Sequence, residues 1–247
     1  MKLWSLAVLA AAALLCIVGA SYWSVPAVAV TAGLAAAAAG VGWPHLLGVP
    51  ARKSQGAVLG LVGAGSVAAA YFAPASGLLA WLPATVAVGV GAVFLIQLLR
   101  GTGQAKRLES IIGMVTGVLI IASGSGWVAA DRLAGEHGSS ALLTVGGSAA
   151  LAALAVCLIP LPDRMAAPLG IVAGALGAGL ASLVIAGMPL IGSVVSGAIA
   201  AALIMAVRRL VLSRDGTASG WGWAALGLAP ILVLGAVLYF LGVAVIR

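Results

Sequence analysis

The stretch 78–130, LLAWLPATVAVGVGAVFLIQLLRGTGQAKRLESIIGMVTGVLIIASGSGWVAA, decides the fold. Two long apolar runs flank a short segment carrying Arg100, Lys106, Arg107 and Glu109. A hydrocarbon core about 30 Å thick is crossed by about 20 helical residues, and each run has that length. A charge at mid-bilayer costs at least about 2.5 kcal/mol, so apolar runs punctuated by charged clusters mark membrane spans.

The same grammar continues in both directions. The 247 residues hold only 12 Lys and Arg and 5 Asp and Glu; 64% are hydrophobic and mean hydropathy is +1.26. A soluble domain carries about 25% charged residues, against 7% here. The runs are rich in Ala, Val, Leu and Gly and lack the alternation of an outer-membrane barrel strand. Helices satisfy their own backbone groups in lipid. The expected fold is all-α: a polytopic transmembrane helical bundle in one integral membrane domain over 1–247. About nine spans are expected, at 3–20, 25–43, 54–73, 78–98, 109–130, 140–160, 168–187, 190–207 and 222–245.

Charge orients the bundle. With the N-terminus in the cytoplasm, ten of the twelve cations fall inside: Lys2, Arg52, Lys53, Arg100, Lys106, Arg107, Arg164, Arg208, Arg209 and Arg214. Only Arg132 and Arg247 fall outside, a strong positive-inside signal. It predicts a multi-pass protein of the cytoplasmic (inner) membrane, N-terminus in and C-terminus out. Tyr22, Trp23, Tyr71, Phe72, Trp81 and Trp127 are expected at the outer interface, with Trp4, Trp43, Trp221 and Trp223 at the inner one. The net charge of +7 is spread over short loops without an aromatic-interleaved patch. It reads as topology and anionic lipid contact, with no nucleic-acid partner.

Residues 1–20 read as an uncleaved anchor; a signal peptide ending at Val18-Gly19-Ala20 is the competing reading. Cys16 and Cys157 are expected in opposite leaflets, too far apart for a disulfide. A first half, 25–130, and a second half, 140–247, match in their order of basic and charge-free loops. The offset of roughly 110 residues fits a 4+4 tandem repeat after the first span.

Four pairs have small-xxx-small spacing: Gly56/Gly60, Gly113/Gly117, Gly170/Gly174 and Ser193/Gly197. They suit close helix packing or interfaces that slide. No charged residue falls near the middle of a span. Glu109 sits at the inner mouth of the fifth span, and Asp131 and Glu136 are read into the outer loop. A proton relay is therefore not expected. Thr116, Ser123, Ser125 and Gln97 are candidate polar residues along a path, and Ser123-Gly124-Ser125-Gly126 invites a break in the fifth span. Candidate headgroup ligands for an anionic lipid or substrate are Arg52, Lys53, Arg100, Lys106, Arg107, Arg164, Arg208 and Arg209. Paired intramembrane carboxylates, metal-ligand clusters and phosphate-binding glycine loops do not occur, and His45 and His137 fall on opposite sides. No catalytic residue, metal or cofactor is expected.

The segments Gly42–Pro50, Gln97–Arg100 and Glu109-Ser110 through Ser125–Ala130 resemble small polytopic actinobacterial proteins labelled permeases. That resemblance covers about the first half of the chain and implies transport without assigning residues. Two functional classes fit the sequence. One is a transport or translocation protein for a lipid or lipid-linked cell-envelope precursor. The other is a non-catalytic accessory or scaffold subunit, packed against a membrane protein partner or a second copy of the chain.

Overall fold

The computed structural model describes residues 2–49, 51–100, 107–136, 141–185, 189–212 and 220–246. Ten helices follow one another: α1 Lys2–Ser21, α2 Val25–Leu47, α3 Arg52–Phe72, α4 Leu82–Leu99, α5 Arg107–Ala122, α6 Gly126–Glu136, α7 Ala141–Leu158, α8 Asp163–Val184, α9 Leu190–Leu212 and α10 Gly220–Ile246. Among the described residues there is no strand. Among the described residues, nine helical segments are long and apolar enough to cross a membrane, α5 and α6 together forming one of them. The chain is thus a multi-pass α-helical membrane protein, with each span within a few residues of its expected place.

Local chemistry punctuates these helices. Ser24 caps α2 by accepting from the Ala27 N–H, and Pro26 occupies its first turn, where no N–H is needed. Gly48, at φ 68°, closes α2 in the left-handed conformation that glycine adopts without strain. Ser123–Ser125 forms a 3-10 turn between α5 and α6, so the serine-glycine run does interrupt the fifth span. The Ser123 and Ser125 hydroxyls donate to Leu119 O and Ala122 O, both at 2.7 Å.

Successive spans run antiparallel, and cross-contacts sort their connections into two ends. At one end lie the α2–α3 and α7–α8 connections, the end of α4, the starts of α5 and α10, and the end of α9. Trp43 Nε1 there donates to Gly113 O at 2.9 Å, and Arg208 Nη2 to Leu161 O at 3.3 Å. At the other end Tyr22 and Thr144 share a 2.6 Å hydrogen bond between α1 and α7. Of the cations whose side chains are described, Arg52, Lys53, Arg100, Arg164, Arg208 and Arg209 share the first, basic end; Arg132 belongs to the opposite one.

Burial separates core from rim. In α7, 61% of the span is buried, and in α10 56%, against 17% in α4. Helix α10 runs through the middle, against α2, α6 and α1. Small residues allow backbones to meet: Gly40 lies on Leu59 and Gly60, Gly174 on Gly197, and Gly126 on Gly235 and Ala236. Gly113 and Gly117 receive the Leu47 and Trp43 side chains. The small-residue pairs therefore sit at tight helix contacts.

Two tryptophans expected to anchor at the interfaces are buried inside the bundle. Trp127 is fully buried, with Nε1 donating to Ile231 O at 2.8 Å; packing of Gly126 on α10 carries it into the core. Trp43 is also buried, held in the groove that Gly113 and Gly117 leave open. Trp23, Tyr22, Phe72 and Trp81 are exposed at the opposite end, and Trp4 and Trp221 at the basic end, as interfacial anchors should be. Asp131 and Glu136 are not loop residues: both lie on α6, and Asp131 is only 8% exposed. The span continues past the 3-10 turn for a further 11-residue helix, which the charges had concealed.

Candidate anionic-lipid sites at the basic end

Arg164 and Arg209 come to the basic end on exposed turns of α8 and α9, while the neighbouring Arg208 is only 9% exposed. The three arginines, with Ala167 and Met205, line one cavity of about 270 Å³. Arg208 enters it from the bundle side. It also lines a second, apolar chamber of about 50 Å³ between α1, α7, α9 and α10, among Leu6, Ala10, Leu154, Cys157, Ile204 and Pro230. A guanidinium is always charged and presents several donors in a fork suited to phosphate. Three guanidinium groups give the cavity a positive lining, and Arg208 joins it to the apolar chamber.

Arg52 and Lys53 are exposed in the first turn of α3. With His45, Ala51 and Ser54 they line a separate cavity of about 410 Å³. The N-cap of α3 is Ala51, which supplies no side-chain acceptor, so the positive end of the helix faces that cavity uncapped. The expected cluster is therefore divided into two basic cavities, one in each half of the chain. Arg100 is half-buried at the end of α4. Lys106 lies outside the described residues, as do His137 and Arg214, and Arg107 is described only as the start of α5.

The four path candidates have distinct settings. Thr116 is exposed and donates to Ile112 O at 2.9 Å. Ser123 and Ser125 bond to their own helix, as given above, and Ser125 is fully buried. Gln97 is 3% exposed on the inward face of α4. Cys16 is exposed and Cys157 buried; both are free thiols, in α1 near the opposite end and α7 near the basic end.

Three polar residues have settings that sequence reasoning did not foresee. Gln55, in the first turn of α3, is fully buried with both amide atoms unpartnered. Arg132 donates from Nη1 to Ala70 O, Tyr71 O and Ala73 O at 2.8, 3.0 and 2.8 Å, gathering the last carbonyls of α3. Asp131 is buried beside it. The adjacent Asp131-Arg132 pair was visible in the sequence, but its depth depended on how far α6 extends. Among the described residues no three His, Cys, Asp or Glu converge on a metal site.

Comparison of the chain with models of protein families, with curated proteins and with solved structures finds no match in any of the three. The functional reading therefore rests on the fold and its cavities.

Proposed function

We propose that this is a transport or translocation protein of the cytoplasmic membrane that handles an anionic lipid or a lipid-linked envelope precursor. The observation that carries this reading is the three-arginine cavity joined through buried Arg208 to an apolar chamber. In the proposed orientation the basic end faces the cytoplasm, where positively charged loops are retained. The arginines then meet the leaflet that is rich in anionic headgroups, worth about 1 kcal/mol per cation near the surface. The proposed role is binding and movement without catalysis, in keeping with the permease-like resemblance of the first half.

The test is reconstitution into vesicles containing fluorescently labelled phosphatidylglycerol, with dithionite quenching of the outer leaflet as the readout. Faster transbilayer movement than in protein-free vesicles is expected, slowed by Arg164→Gln with Arg209→Gln. Protein-free rates from correctly inserted protein would sink the transport reading. Native mass spectrometry of protein extracted from its own membrane then separates the alternatives. A stoichiometric second protein would favour the accessory role; a discrete anionic lipid on the lone chain favours translocation.

A further inference from the structure

We propose a second, independent lipid site on the rim of the bundle, where an anionic phospholipid lays one chain between α3 and α4 and its phosphate against the start of α3. Between these helices runs an apolar groove of about 340 Å³, walled by Val58, Leu61 and Gly65 of α3 and by Ala84, Val88 and Ala92 of α4. Leu61 and Val88 are largely exposed beside it, so the groove opens sideways toward lipid. Small residues hollow it out: a Cβ on Gly65 would meet nothing within 4 Å.

The groove does not end blindly. Ser54, Val58, Leu61 and Gly65 follow at i, i+4, i+7 and i+11, a single stripe along α3. Ser54 lines the basic cavity with His45, Arg52 and Lys53, about 6 Å along the axis from Val58. Ser54 thus brings the edge of the head cavity onto the face of α3 that walls the groove. The charges match a phosphate, and the α3 N-terminus, uncapped by Ala51, adds its dipole. An apolar groove in line with a cationic cavity suits a lipid better than a free phosphate.

Native mass spectrometry of the full chain, titrated with phosphatidylglycerol or with phosphatidylcholine of the same chains, tests the site. Wild type should retain one phosphatidylglycerol in preference to phosphatidylcholine at this site. Arg52→Gln and Lys53→Gln should each weaken that preference about fivefold. Gly65→Leu fills open space and should weaken retention of both lipids; Ala84→Leu, from the exposed opposite wall, repeats the test if Gly65→Leu folds poorly. Wild-type retention in both groove variants would overturn the chain position. Equal affinity for the two lipids, or displacement of the lipid by an equal concentration of glycerol phosphate, would overturn the headgroup assignment. Arg164→Gln with Arg209→Gln should leave this lipid in place, so the two sites fail or stand separately.

Discussion

Arg132 does for α3 what the last turn of α3 cannot do for itself. No basic residue lies in that turn, and the carbonyls of a helix end carry partial negative charge and want donors. The guanidinium of α6 supplies them, gathering three carbonyls at once. Hydrogen bonds from a charged donor are worth about 1.5–3 kcal/mol each, and three from one group are not additive. Arg132→Met should therefore lower stability by about 3 kcal/mol, read as a fall in Tm in detergent. An unchanged Tm would mean the clamp does not hold α3. Trp127 is a second case of a residue given its role by its neighbours. Trp127→Phe keeps most of the apolar burial but leaves Ile231 O without this donor, and about 1–3 kcal/mol of destabilisation is expected from the same measurement.

Helix contacts separate two kinds of glycine that composition cannot tell apart. Gly126 and Gly65 both lie inside apolar spans. A Cβ on Gly126 would run into the backbone of Gly235 and Ala236, whereas one on Gly65 enters open space. Backbone cannot give way as a flexible side chain can, so Gly126→Val is expected to abolish the monodisperse species in size-exclusion chromatography. Gly65→Ala should fold normally and gain up to about 1 kcal/mol from helix propensity. Equal behaviour of the two variants would contradict the α6–α10 contact. The divided fifth span follows the same logic. Serine hydroxyls satisfy carbonyls at its 3-10 turn, and small residues let the second piece sink among α2, α3, α7 and α10.

Across the whole molecule, charge predicts the orientation and packing decides which residues are buried. In a chain with Cys16 and Cys157 replaced by alanine, Ser76→Cys and Ser54→Cys mark opposite ends of the bundle. A membrane-impermeant thiol reagent applied to intact cells should label Ser76→Cys at once and Ser54→Cys only after permeabilisation. The reverse result would invert the proposed topology and move both basic cavities to the outer leaflet. The cavities themselves depend on the uneven bundle: α8 and α9 meet backbone to backbone through Gly174 and Gly197, while α3 and α4 touch through Val62 and Gly89 and leave the groove beside that contact.

Apolar length and charge spacing were enough to determine the all-α class, the nine spans and the sorting of cations to one end. These are one-dimensional properties, set by the thickness of the bilayer and the cost of burying charge. Arg52, Lys53, Arg164, Arg208 and Arg209 were legible as candidate ligands for the same reason. Which of them share a cavity was not, because that depends on which helices touch. Only the tertiary structure divided the arginines and lysine between two cavities, buried Trp43 and Trp127, and placed Arg132 on α3. It also left Gln55 without a partner and opened a groove beside α4. Each of these outcomes joins residues far apart in the chain through close helix contacts, and no local pattern of hydropathy or charge records such meetings.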